Sequence, residues 1–247
     1  MDLADKAGPK GTVELLTNEF IAQKLAGELG VPLGDPSTSK PTQFNIALAI
    51  TPNSLRTTRL EAKLDGAKLG GNLAVENFSA PRIRGKLDLA AFTLESWTPP
   101  SADNDSDARS TPDSGQPSAT ETPLPLDVVK DMDLDLTARI GEFKGSGITA
   151  RDVVWTAWSR PGQPYKQELT MNAYGGQIRA RNNIDARGKS PKTGLNLSLE
   201  AVGLGDLLKG TVGESYITGL TQLSLNLDTQ GNTIKTVSYT HLTLPTS

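Results

Sequence analysis

Few residues in this chain could do covalent or metal chemistry. It has no cysteine and one histidine, His241. Disulfides, thiolate sites and cysteine nucleophiles are therefore excluded, and a histidine base has one candidate, near the chain's end. Asp131, Asp133 and Asp135 form a carboxylate row. Carboxylate oxygens can ligate Ca²⁺, but this run lacks the glycine and the bidentate glutamate of a calcium loop. Its period of two makes it the solvated face of a strand. Gly145-Ser146-Gly147-Ile148-Thr149-Ala150 has the glycine spacing of a dinucleotide fingerprint, with Glu168 downstream. That fingerprint must open a helix, and Val153-Val154-Trp155 reads as strand, so the segment is a β-turn. In Tyr174-Gly175-Gly176 the glycine pair makes a hairpin turn and Tyr174 packs. Trp155 and Trp158 could stack on a sugar; they are read as core or groove aromatics. No catalytic residue, metal or cofactor is expected, and the chain is read as non-enzymatic.

Composition agrees. The chain has 247 residues, 36% hydrophobic and 5% aromatic, with 24 Gly and 16 Pro. That suits a sheet protein with frequent turns better than a compact enzyme. The net charge of -3 gives no reason to expect nucleic acid. No run approaches the ~18 apolar residues of a membrane helix. The Met1-to-Lys6 segment is acidic and polar, unlike a signal peptide. Either the protein is cytoplasmic or its anchor lies outside this segment.

Period-two alternation is the dominant pattern. After a helix expected from Asn18 as N-cap through Phe20, Ile21, Leu25 and Leu29, the residues Phe44, Ile46, Leu48 and Ile50 alternate with small or polar partners. Leu60, Ala62 and Leu64 lead to an Asp65-Gly66 hairpin signal, followed by Leu69, Leu73 and Val75, then Ile83, Leu87 and Leu89. The stretch 98–125 is polar, proline-rich and nearly devoid of large apolar residues, so it is expected to be a disordered linker. Beyond it, Leu134, Leu136, Leu169, Met171, Ile178, Leu195, Leu197, Leu199, Leu223 and Leu225 resume the pattern, with a short helix over Leu204 to Leu208. Val153 to Trp158 is apolar on both faces. An internal repeat aligns Pro81, Leu87, Leu89, Ala91, Leu94 and Trp97 with Pro191, Leu197, Leu199, Ala201, Leu204 and Leu207 without a gap. The chain therefore divides into a first β unit with a short helix (1–97), the linker (98–125), a second β unit (126–236) and a tail (237–247). Ten tail residues, from Val237, match what a sequencing-library adapter would encode. The tail is therefore expected to be read-through, carrying His241 with it, rather than a terminal strand of Tyr239, Leu242 and Leu244. On that reading the natural protein continues past Thr236.

Three motifs in order carry a resemblance. They are Leu126 to Ile140 with its Asp-Leu alternation, Tyr174-Gly175-Gly176-Gln177-Ile178, and Leu195 to Leu208 ending Gly205-Asp206-Leu207-Leu208. Residues 126–236 thereby resemble the C-terminal region of the AsmA family, and Leu64 to Leu89 with Trp97-Thr98-Pro99-Pro100 looks like the family's preceding unit. The resemblance implies a periplasmic protein anchored in the bacterial inner membrane through an N-terminal helix absent from this segment. It also implies bridge-like lipid transfer in support of outer-membrane assembly. The fold expected is mainly β: a curved antiparallel sheet forming an open apolar groove, with two or three short helices. The groove would hold phospholipid acyl chains against Phe44, Ile46, Leu48, Leu73, Leu87, Leu89, Leu134, Leu136, Leu169, Met171, Ile178, Leu195, Leu197, Leu199, Leu223 and Leu225. The competing readings are a structural or adhesive β protein closed on its own core, and an enzyme of unfamiliar type.

Overall fold

The computed structural model describes residues 10–31, 33, 37, 39–98, 133–145, 147–188, 190–212 and 219–230. The expectations for residues 99–125 of the linker and for the tail 237–247 lie outside them.

Among the described residues, eleven strands form one sheet in chain order. They are β1 (Gly11–Leu16), β2 (Gln43–Thr51), β3 (Ser54–Leu64), β4 (Ala67–Glu76), β5 (Arg82–Thr93), β6 (Asp133–Gly145), β7 (Ile148–Ser159), β8 (Tyr165–Ala173), β9 (Gly176–Asp185), β10 (Lys192–Gly203) and β11 (Leu220–Gln230). Among the described residues, two α-helices, α1 (Ala22–Glu28) and α2 (Leu204–Val212), and a 3-10 turn over Leu94–Ser96 complete it. The sheet is open: β1 and β11 are its outer strands, and no second sheet stacks on it among the described residues.

Turn chemistry explains the meander. Asp65 (φ 50°) and Gly66 (φ 79°) join β3 to β4, and Tyr174 (φ 53°) and Gly175 (φ 78°) join β8 to β9. Two consecutive positive φ values give the hairpin turn whose twist matches that of its strands. In the second turn the positions belong to Tyr174 and Gly175, not to the glycine pair, because Gly176 already pairs with Ala173. Gly145 and Gly147 flank the turn between β6 and β7, as expected of a β-turn there.

Three expectations need correction. The sheet is mixed, because β5 and β6 run parallel from Arg82↔Asp133 to Thr93↔Lys144. A parallel neighbour requires a crossover of a dozen residues or more. The 39 residues between Thr93 and Asp133 are ample for the return. The parallel register keeps Ile83 beside Leu134 and Leu89 beside Ile140, so the apolar pattern crosses the join in phase. The first helix begins later than Asn18. Its N-cap is Ile21, with no side-chain cap, and Thr17 and Phe20 are instead held to β2 and Thr42 by backbone hydrogen bonds. Lastly, Asp133 does not sit on a solvated strand face: it is 8% exposed and ion-paired.

The core is small and local. Ala150, Val153, Ala173, Ile178, Leu199 and Val202 are buried together at one end of the second unit, with Leu207 of α2, Phe143, Leu169 and Leu223 packed against them. Strict alternation cannot place Ala150 and Val153, or Leu199 and Val202, on one side, since each pair is three residues apart. Bulges reconcile them. β7 carries an extra residue between Arg151 and Val154 relative to β8, and β10 one between Leu199 and Val202 relative to β11. The bulges contain Asp152 (φ 51°) and Ala201 (φ 54°), which carry the unfavourable left-handed backbone. At the first unit's end, Gln23 of α1 is 2% exposed and its Nε2 donates to the Ser96 carbonyl at 2.9 Å. Phe92 stacks there between Trp97 and Phe143, with ring centroids 6.5 and 6.1 Å away.

Candidate functional site

Cross-strand register decides which side chains share a face, because directly opposed residues project the same way. One lane runs Gly71–Leu87–Ala138–Trp155–Leu169–Ala180–Leu197–Leu225, each residue opposite the next on β4 through β11. Leu15, Ile46 and Leu60 extend it over β1 to β3, and the Glu61↔Gly70 pair sets Leu60 beside Gly71. The lane is apolar at every step across the whole sheet, a span of about 48 Å at ~4.8 Å per strand.

Two flanking lanes carry the rest. Phe44, Leu69, Leu89 and Ile140 form one, continued by Met171, Ile178, Leu199 and Leu223. On the other side stand Leu48, then Leu73 and Leu136 around Gly85, then Leu195 opposite Asn182. Leu134 lies one step further, between Ile83 and Ser159. Every residue proposed from the sequence as groove lining therefore projects from this one face.

Burial along the face is uneven. Leu134, Ile178 and Leu199 are buried at 6–8% exposure. Leu73, Leu87 and Leu195 are each 37% exposed, and the others are half-buried. Small residues set the floor. Gly71 lies opposite Leu87, while Ala138 and Ala180 lie beside Trp155 and Leu169. Each leaves a step beside a bulky neighbour, so the lane is ridged rather than flat.

Several members of the face lie outside the lining expected from alternation. β1 contributes Val13 and Leu15, each 50% exposed. Its run is too short to show a period, so only its pairing with β2 reveals it. Trp155 belongs to the lane and Trp158 to the opposite face: Trp155 opposes Leu169, and Trp158 opposes Lys166. The two indoles cannot form a common platform. A polar island also interrupts the face, because Gln167 and Asn182 stand opposite each other in phase with Leu195.

The sheet's other face is charged. Glu168 lies 3.4 Å from both Arg179 and Arg181, Lys144 pairs with Glu142 at 2.6 Å, and Arg139 lies 3.8 Å from Asp88. At the start of β6, Asp133 accepts from Arg82 Nε at 2.9 Å and from Arg84 Nη2 at 2.5 Å, with Arg160 Nη1 at 3.1 Å. Burial pushes the Asp133 carboxyl up. Hydrogen bonds from Arg84 and Arg82, with the charges of Arg84 and Arg160, outweigh burial and hold it below the usual carboxylate range. This cluster staples the parallel join, since Arg82 and Arg84 come from β5 and Asp133 from β6.

Among the described residues no group of three or more His, Cys, Asp or Glu side chains could hold a metal ion. No described helix is long and apolar enough to cross a membrane. A model of the AsmA family matches residues 40–240. No curated protein and no solved structure matches the chain.

Proposed function

The chain belongs to the AsmA family, and from that premise we propose that its apolar sheet face binds phospholipid acyl chains and passes them along the lanes. Membership of the family suggests involvement in outer-membrane assembly and lipid transport. The observation that carries the finer reading is the edge-to-edge lane from Leu15 to Leu225, half-exposed on a single open sheet. An antiparallel sheet is ordinarily stable with one face wet only if the other face is covered. Acyl chains would supply that cover, at ~0.8 kcal/mol per CH₂ removed from water. Loading needs no catalytic group, and the absence of a cut-off along the lane lets a chain shift from strand to strand without crossing a charge. On this reading the protein works in the periplasm, held to the inner membrane by a segment outside this chain, with phospholipid as its partner and no cofactor.

The test is co-purification. The protein is isolated from the bacterial periplasmic side and its bound phospholipid is quantified by mass spectrometry. Leu197→Asp puts an unpaired carboxylate in mid-lane at a cost of several kcal/mol. Ser198→Asp puts one on the opposite face, across from Arg179. Wild type and Ser198→Asp carry lipid; Leu197→Asp carries less at equal folded yield. Folded wild-type protein that carries none and takes up no fluorescent phospholipid overturns the proposal.

A further inference from the structure

The charged face carries a cleft that the lipid reading leaves unused. About 590 Å³ in volume, it is lined mainly by two cross-strand rows on β7 to β11, with Gln167, Asn182 and Leu195 between them. One row is Thr156, Glu168, Arg181, Asn196 and Asn226; the other is Trp158, Lys166, Asn183, Gly194 and Asp228. A second cleft of about 480 Å³ shares Asn183, Gly194 and Asp228 with it and continues past Asp185 and Lys192. The two make one trough with Gly194 at its shared floor. A Cβ at Gly194 would stand 3.1 Å from Asp228 Oδ1, so the glycine keeps the floor low there.

We infer that this trough binds a neutral oligosaccharide. Its charges cancel: Lys166, Arg181 and Lys192 oppose Glu168, Asp185 and Asp228, three against three. A polyanion such as nucleic acid or polyphosphate would meet as many carboxylates as cations. The remaining polar side chains are amides and threonine hydroxyls, and each of these groups can both donate and accept, which matches ligand hydroxyls. Asn196 and Asn226, directly opposed, line the trough, and Asn196 Nδ2 donates to Asn226 Oδ1, which fixes both amides there. An extended peptide is the poorer match. Peptides dock by pairing with a strand edge, and the trough lies on a sheet face whose backbone groups are already spent in the ladder. At one end stands Trp158, whose ring draws Arg160 at 5.2 Å and Lys166 at 5.6 Å. The negative ring face that attracts those cations is the surface on which the C–H groups of a sugar stack, displacing the exposed Lys166 head.

The experiment titrates the full chain with chitotetraose and cellotetraose, following the Trp158 indole and Asn side-chain amide resonances. Wild type shows saturable shifts with at least one of them. Gly194→Val fills the floor with a residue that suits a strand, and Trp158→Ala removes the platform; each weakens binding tenfold or more, while bound phospholipid stays at the wild-type level. The inference is overturned if neither sugar gives saturable shifts at millimolar concentration. It is equally overturned if both variants bind like wild type, or if only inorganic polyphosphate binds. Because phospholipid is measured in the same samples, failure of the trough and failure of the apolar face are read separately.

Discussion

Leu73 and Leu136 close over Gly85 from opposite sides: a Cβ built there would lie 2.9 Å from Leu73 Cδ1 and 3.0 Å from Leu136 Cδ2. Gly85 is buried, and the two leucines belong to β4 and β6, on either side of the strand that joins the two units. That flanking lane is thus tightly packed where the parallel pairing carries it from one half of the chain to the other.

Filling that point has a defined consequence. Gly85→Val forces both leucines and the Asn72 carbonyl, 3.1 Å away, to give. Overpacking of this kind costs about 1–3 kcal/mol. Urea denaturation measures it, and an unchanged midpoint would show that the leucines move aside freely.

Asp133 makes stability depend on pH. Its carboxyl is held below its ordinary value in the folded chain and reverts to about 3.9 on unfolding. The stabilisation is therefore fully present above about pH 4 and is lost as pH falls through the lower, folded value. Asp133→Asn removes the charge from between three arginines, costs about 1–3 kcal/mol at pH 7, and flattens the acid limb of the stability curve. Unfolding midpoints measured from pH 2 to 7 check both effects; parallel curves for the two proteins would contradict them.

Tyr174 packs against the buried cluster, and its buried hydroxyl has no hydrogen-bond partner among the described residues. Burial accordingly pushes its phenol up. Removing an unmatched polar atom while keeping the ring is neutral to favourable. Tyr174→Phe should leave stability unchanged or raise it by up to about 1 kcal/mol, and a loss greater than that in thermal denaturation would reveal a partner for the hydroxyl.

Ala201 occupies the β10 bulge at φ 54°. Left-handed backbone costs a residue with a Cβ about 1–2 kcal/mol, partly offset in glycine by its greater unfolded-state entropy. Ala201→Gly should therefore stabilise by about 0.5–1 kcal/mol, and a decrease in denaturation midpoint would contradict the bulge geometry.

The bulges also explain where sequence reading stops. Strand after strand was legible because period-two leucines, as at Leu195, Leu197 and Leu199, admit one register with the core side in phase. The Asp65-Gly66 hairpin carried its own turn chemistry. A left-handed bulge position is the one glycine favours, and here Asp152 and Ala201 stand in its place, so nothing local announced that Val153 and Val202 would rejoin the buried side. The parallel join was equally silent: alternation fixes faces, and strand direction follows from how far the connecting chain travels. Asp133 read as a solvated carboxylate because its three arginine partners lie 27 or more residues away, where no local pattern connects them.

The central claim is that acyl chains lie on one face of the sheet and not on the other. A photo-crosslinking residue placed in turn at Leu87, Leu169, Leu197 and Leu225 should capture phospholipid from cells after illumination. The same residue at Lys86, Thr170, Ser198 and Ser224, each adjacent in sequence and on the opposite face, should capture little or none. Equal capture on both faces, or none at any of the four leucine positions in folded protein, would contradict the account.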